Sequence, residues 1–201
     1  MEVSDLLFGI ITGVGLSAAS GFRVFLPLLA VSAAANFNII DLSESFSWMD
    51  TWLAFGCFLT ASIVEVLVYY IPAVDNLVDT IAGPAAVVAG TVLTASTLGD
   101  ISPFFKWTLA IIAGGGAAGI TQAATTVARG ASTAMTGGLG NIGVSTIENG
   151  SSTGMALAAI GAVFSPPLMI ALGVITFLVL AGGIWLIVWG VKKIRGRKSN
   201  V

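Results

Sequence analysis

The chain has 201 residues, 56% of them hydrophobic and 9% charged, with a net charge of −2 and no histidine. A soluble domain carries about a quarter charged residues, and a surface this apolar would associate in water. The composition therefore excludes an ordinary soluble domain, and the missing histidine removes the commonest general base and metal ligand.

A membrane-crossing helix needs about 20 mostly apolar residues, and on that rule the chain divides into six segments. The first, residues 6–35, is rich in Gly and Ala and is interrupted by Arg23 and Pro27. Glu2 and Asp5 precede it where a cleavable signal peptide would carry basic residues, so it is read as a membrane segment. The second, residues 51–71, carries Glu65 and the single cysteine, Cys57, which has no partner for an internal disulfide. The third, residues 74–98, carries Asp75, Asn76 and Asp79 and a predicted break at Gly83-Pro84. The fourth, residues 104–128, holds the run Gly114-Gly115-Gly116 and is followed by Arg129. The fifth, residues 153–164, is short and ends at Ser165-Pro166-Pro167, so it reads as a half-helix that enters and returns. The sixth, residues 168–191, is the clearest spanning helix.

The expected fold is all-α: a polytopic transmembrane helix bundle of about six membrane segments with broken or re-entrant pieces. Residues 1–191 form the transmembrane helical domain and residues 192–201 a basic tail. Five of the eight basic residues, Lys192, Lys193, Arg195, Arg197 and Lys198, lie in that tail. Cytoplasmic loops carry an excess of Lys and Arg, which puts the tail in the cytoplasm; six crossings put the N-terminus there too. The loop 36–50, with Asp41, Glu44 and Asp50 and no basic residue, then faces outside. A basic tail behind an apolar helix is a topology signal and gives no reason to expect nucleic acid.

Small residues let membrane helices approach closely. Gly9 to Gly13 and Gly115 to Gly119 each form a G-x-x-x-G. They serve ordinary packing within the bundle or, through Gly/Ala-rich helix faces, a homo-oligomer. Residues 10–15 resemble residues 111–116, and Glu65 stands as far before Pro84 as Glu148 before Pro167. An inverted repeat is one reading of these likenesses; chance in a Gly- and Ala-rich chain is the other.

Charges inside a bilayer are costly and normally face a bundle interior, a partner or water. Arg23, Glu65, Asp75, Asp79 and Arg129 are the candidate ion or solute site; Asn76, Asn141 and Glu148 are weaker members, Glu148 because it falls in an apparent polar loop. Arg23 has apolar sequence on both sides, so it is expected either to pair with a carboxylate or to hold an anionic ligand. Asp75 and Asp79 are four residues apart on one helix face. They repel unless a cation, proton or arginine neutralises them, or they mark a solvated helix start favoured by the helix dipole. The glycine-rich residues 136–143 lack the lysine of a phosphate-binding loop. Neither a Cys/His metal spacing nor a nucleophile with a histidine partner is present. The chain is therefore expected to be no enzyme and to need no cofactor or metal.

Taken together, residues 15–29 around Arg23, Glu65 with residues 71–79, and Ala128-Arg129 followed by Asn141 and Glu148-Asn149 resemble the bacterial membrane family catalogued as domain of unknown function 4126. Members of that family often carry a histidine near the position of Thr121 or Gln122, and this chain has none. The resemblance implies a multi-pass protein of the bacterial inner membrane and supports the choice of polar residues; it implies no activity. The leading expectation is a small transporter or channel whose buried arginines and acids handle an ion or small solute. The alternative is a non-catalytic scaffold or subunit of a membrane assembly. The expected surroundings are the lipid bilayer in either case.

Overall fold

The computed structural model describes residues 3–71, 74–99 and 101–198; the side chains of residues 3, 4, 75, 76 and 194–198 lie outside that description. The described residues form helices and no strand. The first predicted segment is two helices, α1 (Val3–Ser20) and α2 (Phe25–Asn36). The chain turns between them because the amides of Gly21, Phe22 and Arg23 fold back onto the Ala18 and Ala19 carbonyls at 3.1–3.2 Å. Pro27 then falls in the first turn of α2, where a missing N–H breaks no bond.

The predicted outer loop is partly ordered as a 3₁₀ helix, Glu44–Asp50, that buries Phe46 and Met49. It meets α3 (Trp52–Val68) at 66°. Thr51 caps α3 by accepting the Ala54 amide at 3.2 Å. The helix α4 (Val74–Thr97) runs unbroken through Pro84, contrary to the predicted break. Pro84 sits on its exposed side, where the freed carbonyl is not sealed inside the core.

The fourth segment is a continuous helical run, longer than expected: α5 (Pro103–Leu109), a π-helical stretch Ala110–Gly115, and α6 (Gly116–Thr136). Gly137, with φ of 64°, ends it in the left-handed conformation that favours glycine. The predicted half-helix at 153–164 is the end of a 22-residue helix, α7 (Asn141–Ala162), which starts inside the stretch expected to be a polar loop. The reason is direction. Asn141, Ser145, Glu148 and Ser152 follow helical spacing and are all buried, so the polar residues form the inward face. The last helix, α8 (Pro166–Lys198), carries the basic tail on as helix to Lys198.

The helix α1 is the centre of the bundle and touches α4, α6, α7 and α8. Its Leu16, Ala18 and Ala19 are fully buried. Both G-x-x-x-G motifs meet α4: Gly9 and Gly13 lie against Thr94 and Thr97, and Gly115 and Gly119 lie against Val87. An oligomer through those faces would have to displace α4. The helix α3 leans on α2 and barely touches α4.

Three helices are long and apolar enough to cross a membrane, Leu77–Thr97, Pro103–Thr136 and Pro166–Lys193; the bent pair Glu44–Asp50 and Trp52–Val68 makes four. This suggests a membrane protein and corrects the expected count of six. The first segment is divided into α1 and α2, and α7 is diluted by its polar face. The equal Glu-to-Pro spacings also fall at unlike places. Pro84 lies inside α4, whereas Pro167 is in the first turn of α8, so the spacing marks no repeated element.

Candidate functional site

The turn between α1 and α2 delivers Arg23 to the interior, where it is 1% exposed. Arg129 projects from α6 and is also 1% exposed. Both meet Glu148 of α7. Arg23 donates from Nη1 to Glu148 Oε2 at 2.7 Å. Arg129 donates from Nε to Glu148 Oε1 at 3.1 Å and from Nη2 to Glu148 Oε2. One carboxylate thus serves two guanidiniums. Bidentate pairing of this kind is the strongest an arginine makes. Glu148, the weaker candidate by sequence, is the hub.

The remaining Arg23 donors are also engaged. Nε donates to Asn149 Oδ1 at 2.6 Å, Nη1 to the Phe22 carbonyl at 3.0 Å and Nη2 to the Ser145 carbonyl at 3.3 Å. Arg129 Nε lies 3.9 Å from Asp79 Oδ2. Arg129 Nη1 is buried with no hydrogen-bond partner among the described residues.

Tyr69, at the end of α3, lies among these charges. The guanidinium carbons of Arg23 and Arg129 are each 4.0 Å from the centre of its ring. A desolvated cation over an aromatic face contributes up to about 2 kcal/mol. The Tyr69 hydroxyl donates to Asp79 Oδ1 at 3.1 Å, and its carbonyl accepts from Ser145 Oγ at 3.2 Å. Tyr69 therefore joins α3 to α4 and α7 at the point where both arginines enter.

Glu65, one turn earlier on α3, does something different. Its Oε1 accepts the Val24 amide at 2.7 Å and its Oε2 the Phe25 amide at 3.0 Å. These are donors of the first turn of α2, which has no capping side chain of its own. Glu65 thus caps a helix from another helix, and its charge complements the positive end of the α2 dipole. Both oxygens accept from N–H donors, as a carboxylate does.

Of the five leading candidates, Arg23, Asp79 and Arg129 converge on Glu148 and Tyr69, and Glu65 is joined to Arg23 through the adjoining Val24 amide. The Asp75 side chain lies outside the described residues, as does that of Asn76. Asn141 stands two turns before Glu148, and its Nδ2 donates to Thr133 Oγ1 of α6 at 2.9 Å. Sequence reading passed over Tyr69, which carries no charge. Its one signal is its place four residues after Glu65, on the same helix face.

Two grooves flank the cluster. One, of about 940 Å³, lies between α3 and α4 with α2 at its base, and Glu65 is in its wall. The other, about 380 Å³, lies among α6, α7 and α8, and Glu148 is in its wall. Among the described residues no group of three or more His, Cys, Asp or Glu is placed to hold a metal.

No curated protein and no solved structure matches the chain. Residues 10–189 match the family described as Domain of unknown function (DUF4126). The match spans every helix that contributes to the charge cluster, and the chain belongs to that family.

Proposed function

We propose that this protein is a small membrane transporter or channel whose buried charge cluster handles an ion or small solute. One observation carries the reading: two separate grooves end on carboxylates, and a short polar relay joins them. Glu65, in the wall of the first groove, holds the Val24 amide. Arg23, the residue before it, holds Glu148 in the wall of the second.

The energetics favour this reading over a purely structural tie. Taking ions out of water costs several kcal/mol each even after relaxation, and buried pairs are often replaceable by apolar contacts without loss. Elsewhere the bundle is held by apolar contacts and by neutral hydroxyl hydrogen bonds such as Ser17 to the Gly90 carbonyl and Ser152 to the Ala19 carbonyl. Because Glu148 is shared, one arginine can release it while the other keeps it neutralised, which is what a passing ion requires. Helix ends at the turn between α1 and α2 also present backbone groups in the interior, as the discontinuous helices of transporters do. The arginines and acids pair with one another and need supply no bond-making step, so the reading is non-enzymatic. It places the chain in the bacterial inner membrane with both termini cytoplasmic.

Reconstitution into liposomes tests the proposal. A flux that depends on potential, pH or added solute is expected, and Glu148→Gln is expected to abolish it. Folded wild-type protein that supports no flux under any of these gradients would sink the proposal.

A further inference from the structure

We infer that a third groove, at the end of the bundle where α1 begins, binds a small organic amine. The ammonium sits at the rim with Asp5 and Asp41, and the apolar body carries a polar group inward to the Thr12 hydroxyl. The site is separate from the charge cluster and stands without the transport reading.

Thr12 and Leu16 follow Asp5 by seven and eleven residues, which puts all three on one face of α1. That face looks onto Asp41, in the stretch that leaves α2, and onto Ile160 and Val163 at the end of α7. About 380 Å³ remains open between them, within the range of small-molecule sites, about 300–1,000 Å³. Asp5 and Asp41 are exposed, whereas Thr12 is 6% exposed and Leu16 is fully buried. Seven residues of helix rise about 10 Å. The groove therefore runs from an acidic rim at the surface to a hydroxyl inside the bundle.

Thr12 is the residue that asks for an occupant. A threonine in a helix commonly returns its hydroxyl to the carbonyl one turn back, as Thr60 does to Gly56 and Thr121 to Ala117. The Thr12 hydroxyl makes no hydrogen bond to any described residue, although buried polar groups normally have a partner. Thr97, across the groove, is engaged: it donates to the Gly9 carbonyl at 3.0 Å.

Charge at the rim selects the ligand. No lysine or arginine lines the groove, and the ion pairs among the described residues all belong to the cluster around Glu148 and Asp79. A cleft lined by one sign of charge with apolar walls concentrates its field, so this one attracts an ammonium and repels an anion. A hard metal ion fits less well. It takes about six to eight oxygens, and the side chains here offer two carboxylates and the Thr12 hydroxyl. Ile160 and Val163 suit a hydrocarbon body instead.

Isothermal titration of the full-length protein in a neutral detergent tests the site with tyramine, phenethylamine and 3-phenylpropionate, which replaces the ammonium by a carboxylate on the same frame. Both amines are expected to bind saturably, tyramine more tightly, and the acid not at all. Asp41→Asn is expected to weaken both amines about fivefold, the size of an exposed ion pair. Glu44→Gln, which removes a nearby acid outside the groove wall, is expected to leave them unchanged. Thr12→Val keeps the shape and is expected to remove the preference for tyramine. Binding of the acid as tightly as the amines, or of none of the three, overturns the inference. So does equal weakening by Asp41→Asn and Glu44→Gln, which would mean diffuse surface charge rather than a site. Both of these variants change exposed residues, so the comparison stands even where Thr12→Val does not fold.

Discussion

Glu148 pairs with two arginines at once, so its loss differs from the loss of an ordinary ion pair. Glu148→Gln keeps the shape and leaves Arg23 and Arg129 buried without their shared carboxylate. Breaking a buried pair from one side costs about 3–5 kcal/mol, and a loss of that size is expected in denaturant unfolding of the purified protein. Arg129→Met in the Glu148→Gln background should cost less than the sum of the two single changes, by about 0.5–3 kcal/mol of coupling. Simple additivity would show that the arginines do not depend on Glu148. Tyr69 permits a finer separation. Tyr69→Phe keeps the ring beside both guanidiniums and removes the hydroxyl bonded to Asp79. A bond to a charged group contributes about 1.5–3 kcal/mol. Tyr69→Leu removes the ring as well and should unfold at lower denaturant than Tyr69→Phe; equal midpoints would mean that the ring contributes no cation binding.

At the scale of the helix, the turn between α1 and α2 depends on close backbone approach. A Cβ on Gly21 would lie 2.5 Å from the Ala118 carbonyl oxygen and 2.5 Å from Thr121 Cβ, both on α6. A helix backbone cannot yield as a side chain does. Gly21→Ala is therefore expected to destabilise by about 1–3 kcal/mol and to shift Arg23, two residues on, lowering any flux as well as the melting temperature. A variant with normal flux and stability would show that the turn tolerates the added methyl. Helix boundaries also show what the sequence made legible. Arg23, Glu65, Asp79 and Arg129 stood out because each interrupts an apolar run, and the structure brings them together. The helix α7 was obscured because hydropathy assumes that an inward face is apolar. Asn141, Ser145, Glu148 and Ser152 instead turn a polar stripe inward, and the average over the window reads as loop. Glu65 was recognised as buried charge, but its role as cap of α2 depends on a pairing 41 residues away, which no local pattern encodes.

The number of crossings decides the topology of the whole molecule. Three long apolar helices alone give an odd count and split the termini; adding the bent pair gives four and reunites them. Two further helices bear on the parity. The helix α7 fails a test of average composition, yet its polar residues point inward, and its outward face shows Ile142, Ile147 and Leu157. The apolar part of α1, Asp5–Ser20, is about 24 Å long at 1.5 Å per residue, a little short of the ~30 Å hydrocarbon core. Four is even, and one of these two crossing as well would make the count odd. The basic residues then choose the side: α8 ends in Lys192, Lys193, Arg195, Arg197 and Lys198, and such clusters stay in the cytoplasm. Reporters that fluoresce only in the cytoplasm, fused separately to the two termini, are therefore expected both to be bright. A dark N-terminal fusion beside a bright C-terminal one would require an odd count, with the bent pair not crossing or with one of α1 and α7 crossing in addition to the four. Replacing the five tail residues by Gln should weaken the bias and give a mixed population at both termini together, since an even bundle can invert only as a unit.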